Sequence, residues 1–426
     1  MTSPNTLIRL DKAIQTSNLL RLFRLIKEGD KLMGYRIQLP ILIGTALITL
    51  SMSLVGFAQV VAETPLETSE TNTVLDKNPI GTARSASLSE SLGAVADDLD
   101  ALIFNPAGIG GSHQSKKIPF IRKLYFPHIS LFANKDSLKL NQEFRREGAA
   151  NDGAIGQALV DAHAGKRQYG RISSVVGLVF GRLIAVPYHD IQVAAVSQGN
   201  GSDLVDMRYR SQSGIGYGFS VMDTSETFAL GYSGYIAQRS EIYGSFLYAE
   251  MIDKSARKQI LKDNTTKSTA TAHNVGMTWQ LAKTASPKLT LVMRDIGNTN
   301  FKKNDETDPI VYKQDLNAGF SLGNAPGKSQ YFTYMLEAGR LLDDEITIPK
   351  KLKTSMEWTY DGSGTYARLG AHAGYTFAGP SAGLSINIGI VSMTAGFYSV
   401  DIGTGNDKLT EGRYTGTFNV NVAEQF

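Results

Sequence analysis

Apolar and polar side chains alternate with period two along much of the chain, most clearly at its carboxyl-terminal end. In 414–426, Tyr414, Phe418, Val420, Val422 and Phe426 share one parity, and Thr415, Thr417, Asn419 and Asn421 share the other. Successive side chains on a strand point to opposite faces, so this strand offers one face suited to lipid and one suited to a polar lumen. The alternation recurs upstream. Val205, Met207 and Tyr209 interleave with Asp206, Arg208 and Arg210, and Val275, Met277, Trp279 and Leu281 with Asn274, Thr278 and Gln280. Leu316, Ala318, Phe320 and Leu322 alternate with Asp315, Asn317 and Ser321, and Leu352, Met356, Trp358 and Tyr360 with Lys353, Ser355, Glu357 and Thr359. Ile386, Ile388 and Ile390, then Met393, Ala395 and Phe397, repeat the pattern. Turn residues at 324–327, 361–364, 379–381 and 403–407 punctuate it. These strands predict an all-β fold, a transmembrane antiparallel β-barrel. A soluble sheet shows the same alternation strand by strand, so recurrence and a targeting segment carry the membrane reading.

One long apolar span supplies that segment. Residues 41–57 are apolar apart from small and hydroxyl side chains, follow Arg36, and lead to Val60 and Ala62 or Gly56 and Ala58, either pair suiting a signal-peptidase cut. Residues 1–62 are therefore predicted to be an export signal, with a basic extension carrying Arg9, Lys12, Arg21, Arg24, Lys27 and Lys31. Initiation at Met33 would leave a short n-region of more usual design. The same span also suits a retained anchor with a cytoplasmic basic tail.

Before the strands, 63–80 reads as a flexible polar linker. The pattern then turns helical: Leu88, Leu92, Val95, Leu99, Leu102 and Ile103 fall three and four residues apart, predicting one helix from near Ser85 or Ser87 that Asn105 and Pro106 stop. Residues 254–267 read as a long basic loop, and 141–169 as a loop with a short helix around Ile155, Leu159 and Val160.

Composition adjusts the picture without redrawing it. The chain has 426 residues, 42 glycines, 18 tyrosines and no cysteine, which excludes disulfides and thiolate metal sites. The net charge of +3 belongs to the leader: residues 1–62 carry +4, leaving −1 on the remainder. With no basic run interleaved with aromatics, nucleic-acid binding has no support. Asp97, Asp98 and Asp100 point around a helix without a ligand set to complete a metal site, so salt bridges or solvation explain them better. Gly214, Gly216 and Gly218 alternate with apolar residues and precede no helix, which suits lumen-side positions on a strand and not a dinucleotide loop. His113, His128, His163, His189, His273 and His372 show no zinc spacing. No serine, histidine and acid can be grouped from sequence alone, so neither an enzyme nor a cofactor is expected. Trp279, Trp358, Tyr360 and Tyr375 suit an interfacial aromatic girdle.

The segment Gly93-Ala-Val-Ala-Asp-Asp-Leu-Asp-Ala-Leu-Ile-Phe-Asn-Pro-Ala-Gly108 resembles the amino-terminal signature of the outer-membrane fatty-acid transporter (FadL) superfamily. Looser similarity to its PorV-like branch lies in 288–297, 348–357 and 368–375. The resemblance implies a barrel of about fourteen strands (12 to 14) with an amino-terminal helical hatch in its lumen, the hatch at 81–118 and the barrel at 119–426. By position, Asp97, Asp98, Asn105, Pro106, Ala107 and Gly108 belong to the hatch or its gating, and Asp206, Arg208, Arg210, Arg294 and Glu357 are its candidate lumen-facing partners. Phe418, Val420, Val422 and Phe426 form the candidate barrel-assembly signal, although Glu424 stands where that signal prefers an apolar side chain. The implied location is the outer membrane of a Gram-negative bacterium, and the implied role is hatch-gated passage of hydrophobic small molecules. The alternative is a partner in a secretion, attachment or conjugation complex. Outer-membrane lipid and the barrel-insertion machinery are the expected partners in either case.

Overall fold

Alternating, β-branched and aromatic-rich segments become strands because each can satisfy its backbone only by pairing and can bury only one face. A computed structural model describes residues 75–109, 121–146, 158, 161–199, 202–282, 286–303, 310–327, 329–361, 367–403 and 408–421. The expectations for the export signal, for Met33, for Ile155, Leu159 and Val160, and for Val422 and Phe426 lie outside these residues.

The strands in chain order are β1 Ile121–Asn134, β2 Arg167–Phe180, β3 Leu183–Gly199, β4 Ser202–Met222, β5 Phe228–Leu247, β6 Thr266–Gln280, β7 Lys288–Arg294 and β8 Thr299–Lys303. They continue as β9 Ile310–Tyr312, β10 Asp315–Gly327, β11 Gln330–Ala338, β12 Leu352–Asp361, β13 Ala367–Thr376, β14 Gly379–Ile388, β15 Val391–Asp401 and β16 Thr410–Asn421. All but β8 and β9 form a closed antiparallel barrel of fourteen strands, in which each pairs with its neighbours and β16 returns to β1. The closing register runs from Tyr125 opposite Asn421 to Asn134 opposite Arg413. β8 and β9 make a short hairpin that attaches to β6, with Lys303 opposite Ser268 and Lys302 opposite Thr269. Closure removes the free edges that an open sheet would leave.

The expected facing holds on the outside. Leu131, Ile172, Ile215, Ile236, Leu336 and Leu384 all point outward and are each just over half exposed, the surface a hydrocarbon solvent accepts and water does not. On the inside the expected polar lumen holds only in part. Val175, Val179, Ile184, Val186, Ala237, Ala270 and Ala272 face inward and are buried against the amino-terminal segment, so the wall from β2 to β6 has an apolar inner patch.

Connections at one end are short, including Gly181 and Arg182, 223–227, and Gly389 and Ile390; most at the other end are long, including 135–166, 248–265 and 295–314. Two of the expected turns shift: β10 continues through 324–327, and β14 already starts at Gly379. The expected loop at 254–267 is mostly helix, Tyr248–Ile252 followed by Lys254–Asn264, because Asp253 caps the second helix through the Ala256 amide at 2.7 Å. A helix at Lys135–Arg146 likewise occupies the start of the loop expected from 141.

The single helix expected after residue 85 is two: α1 Ala83–Ser87 and α2 Asp98–Phe104, followed by a 3-10 turn at Pro106–Gly108. Thr82 caps α1 by accepting from the Ser85 amide, and Ser89 and Glu90, at φ 53° and 56°, break the helical path. The stop before Pro106 is where the sequence placed it. The apolar stripe is still buried, with Leu88 and Leu92 fully covered and Leu99, Leu102 and Ile103 nearly so.

Candidate functional site

The amino-terminal segment is a plug fixed to the barrel's inner wall. Non-helical backbone at membrane depth survives only where protein or water satisfies it, and here inward wall side chains do so. Ser381 donates to the Ser87 carbonyl at 2.8 Å, Ser355 to the Ser91 carbonyl at 3.2 Å, Ser233 to the Leu102 carbonyl at 2.7 Å and Ser220 to the Ile109 carbonyl at 2.5 Å. Glu337 accepts from the Gly93 amide at 2.9 Å, and Thr417 from the Ala83 amide at 2.8 Å. These partners alternate with outward-facing, exposed residues on their strands.

Three anchors hold the plug at different heights. Nearest the long-loop end, Asp76 receives Arg413 at 2.6 Å, Arg171 at 3.1 Å and the Tyr169 hydroxyl at 2.7 Å, while Arg210 donates to its carbonyl. Arg171 also binds Asp190 at 2.7 Å, and the Arg413 guanidinium stacks 3.5 Å from the Tyr169 ring centre. Burial pushes the Asp76 carboxyl up, but Arg413 and Arg171 override it and hold the group well below the usual carboxylate range. Residues 75–80, the described part of the segment read as a linker, therefore pack with the plug, Leu75 and Ile80 being buried.

The second anchor centres on Arg84 of α1. Its guanidinium grips Glu357 in a two-pronged pair at 2.8 and 3.0 Å and reaches Asp97 at 3.0 Å and Asp100 at 3.2 Å. Burial raises the Asp100 carboxyl, which Arg84 only partly offsets. The same Glu357 lies 3.3 Å from His372 Nε2, and His372 Nδ1 lies 3.1 Å from Ser87 Oγ. The structure thus assembles a serine, a histidine and an acid that no sequence spacing suggested. Ser87 is fully buried and also donates to the Arg84 carbonyl, and Arg84 occupies Glu357, so the group fastens α1 to the wall.

The third anchor is the Asn105–Pro106–Ala107 turn at the short-turn end. Asn105 donates to the Gly93 carbonyl at 2.6 Å and to Thr278 at 2.9 Å, and accepts from the Ala107 amide at 3.1 Å. Where the turn comes closest to the wall, the wall residues are two glycines. A Cβ on Gly231 would overlap the Pro106 and Ala107 backbone, and one on Gly276 would overlap the Asn105 side chain. Gly108 packs as closely against the Ala96 carbonyl.

Of the residues singled out from sequence, Asp97, Asn105, Pro106, Ala107 and Gly108 lie in the plug as described, and Asp98 opens α2. Glu357 and Arg210 contact the plug directly, and Arg294 stands 5.9 Å from the Phe104 ring centre. Arg208 instead pairs with Glu241 at 2.5 Å, and Asp206 accepts from Gln198 at 2.9 Å and from Ser245 at 2.5 Å, both within the wall. Gly216 and Gly218 face the plug at Leu102 and Ile109. Phe418 and Val420 face outward, as their parity requires. Sequence reasoning missed Asp76, Arg84, Arg171, Arg413 and Glu337. Only Arg413 carried a usable signal, since it shares parity with Thr415 and Thr417.

No protein-family model and no curated protein matches the chain. Among solved structures it is similar to the Pseudomonas putida toluene transporter TodX, at 9% identity and a TM-score of 0.44 over 82% of this chain and 100% of that one. It is also similar to the Ralstonia pickettii toluene transporter TbuX, at 10% identity and a TM-score of 0.41 over 79% of this chain and 97% of that one. CdiB from Escherichia coli aligns at 10% identity and a TM-score of 0.37, over 72% of this chain and 68% of that one.

Proposed function

We propose that the protein is an outer-membrane channel for hydrophobic small molecules, gated by movement of its plug, with the short turns on the periplasmic side and the long loops outside. The apolar seam between plug and wall carries the reading. Ile80, Leu99, Leu102, Ile103 and Ile109 pack against Val175, Val179, Ile184 and Val186, so a small shift of the plug exposes an oily path within the barrel. A water-filled pore has no use for such a lining. The plug's fastenings are hydrogen bonds and ion pairs, which can exchange for water, and the FadL-like motif coincides with the turn that seats it.

We read the Ser87, His372 and Glu357 group as an anchor and the protein as a non-enzyme, because a substrate has no approach to Ser87 while α1 stays docked. Ser89 and Ser381 place their hydroxyls 2.6 Å apart across the plug–wall interface, and the chain has no cysteine to interfere. A Ser89→Cys, Ser381→Cys double variant is expected to block uptake of a radiolabelled hydrocarbon or fatty acid when oxidised and restore it on reduction. Equal uptake in both states would end the plug-gating reading. Absence of any uptake, combined with recovery in a secretion complex, would point to the partner role.

A further inference from the structure

Resting on the reading that the long loops face outward from an outer membrane, we propose that Lys258, Lys262, Lys267 and Lys302 form a binding surface for the phosphate groups of the outer-leaflet glycolipid. The surface lies on the outside of the β5, β6 and β8 sector.

Register places it. Phe228 pairs with Trp279 at the short-turn end, and the outward positions above them, Leu230, Ile236 and Val275, are exposed and apolar. A band roughly 25 Å tall takes about ten residues of a tilted strand. Counted from Phe228 and Trp279, it ends near Gln238 and Thr269, which are paired. The next outward side chain on β6 is Lys267, opposite Ser240, and Lys302 lies opposite Thr269 on β8. Both are exposed at the height where hydrocarbon gives way to head groups.

Above them the outward side chains Met207, Ile242 and Phe246 are buried, because Ile260 of helix Lys254–Asn264 packs over them. That helix therefore lies along the outer face of the long-loop ends of β4 and β5. At 100° per residue, Lys258 and Lys262 stand on the side away from Ile260, and both are exposed.

No carboxylate pairs with these four among the described residues, whereas Lys350 reaches Asp401 at 2.8 Å and Lys313 reaches Glu345 at 4.0 Å. Lys166, Lys351 and Lys408 at the same end are also without an ion pair there; what sets the four apart is that they share one outer face. Of the neighbouring acids, Asp253 caps its helix and Asp263 accepts from Gln259 at 2.7 Å; both keep their charge, but neither forms an ion pair with these lysines. Lysine stems lie along apolar surface while their ammonium groups reach phosphate, each contributing about 1 kcal/mol near an anionic surface.

The test uses the full barrel in detergent with bisphosphorylated lipid A as the probe, bound lipid being counted by native mass spectrometry. Wild type is expected to retain it and to release it with rising salt. The variant Lys258→Gln, Lys262→Gln, Lys267→Gln, Lys302→Gln is expected to lose it about tenfold or more, while Lys313→Gln retains it. Equal retention by the quadruple variant, or equal wild-type retention of dephosphorylated lipid A, overturns the proposal. Fractionation of the wild-type protein away from the outer membrane would sink the underlying reading separately. Should the quadruple variant fail to fold, the double variant Lys258→Gln, Lys262→Gln, confined to the exposed side of the outer helix, decides: retention of the phosphorylated probe equal to wild type overturns the proposal.

Discussion

Asp76 shows how one carboxylate secures a plug inside a barrel. It faces two guanidinium groups and a phenol, with Arg413 fully buried and Arg171 nearly so; Arg171 keeps Asp190 and Arg413 keeps Glu411 without it, but each buried cation loses one of its two carboxylates. Asp76→Ala is expected to loosen residues 75–80 at a cost of about 3 kcal/mol, read as faster hydrogen exchange there. The pH dependence has a definite sign. A carboxyl held below its unfolded value adds stability above that value and loses it as pH falls through the folded one. The anchor should therefore hold from neutral pH down past about 3.9, where an ordinary aspartate is half protonated, and release only in stronger acid. Conductance rising already near pH 5 would contradict this. Nothing near Asp76 in the sequence pointed to the role, because its partners come from β2 and β16, far apart along the chain.

Among the elements, the plug departs most from its sequence pattern. Spacings of three and four residues describe a continuous helix, but burial inside a barrel asks only that the same apolar residues point to the wall. Two short helices joined by a left-handed break at Ser89 and Glu90 do that while presenting backbone groups to Ser355, Ser381 and Glu337. Helix periodicity was thus a sound guide to burial and a poor one to length. The Asn105–Pro106 stop was legible because proline chemistry is local. Its glycine floor was not, since Gly231 and Gly276 look like any small strand residues until the turn is seen against them. Gly231→Val is expected to unseat the turn without opening the wall. Protease should then cut near residue 105 while heat-dependent gel mobility stays as in wild type; an uncut plug would argue against the cradle.

At the scale of the whole molecule, closure between β1 and β16 turns one-faced strands into a stable object with an apolar outside. Ile172→Arg puts a charge on that outside and is expected to cost about 2–4 kcal/mol if the position lies near the bilayer midplane, lowering the temperature at which the barrel loses its compact gel mobility. An unchanged transition temperature would deny a lipid-facing role to Ile172. The alternating pattern determined the strand class and the two faces of each strand, and the Asn105–Pro106 pair the place where the plug's helix stops, because these depend on neighbours a few residues away. Tertiary structure alone decided which charges meet, that part of the lumen is apolar, and where the plug is fastened. Those contacts join residues separated by up to more than three hundred positions, and only ring closure brings them within a hydrogen bond's reach.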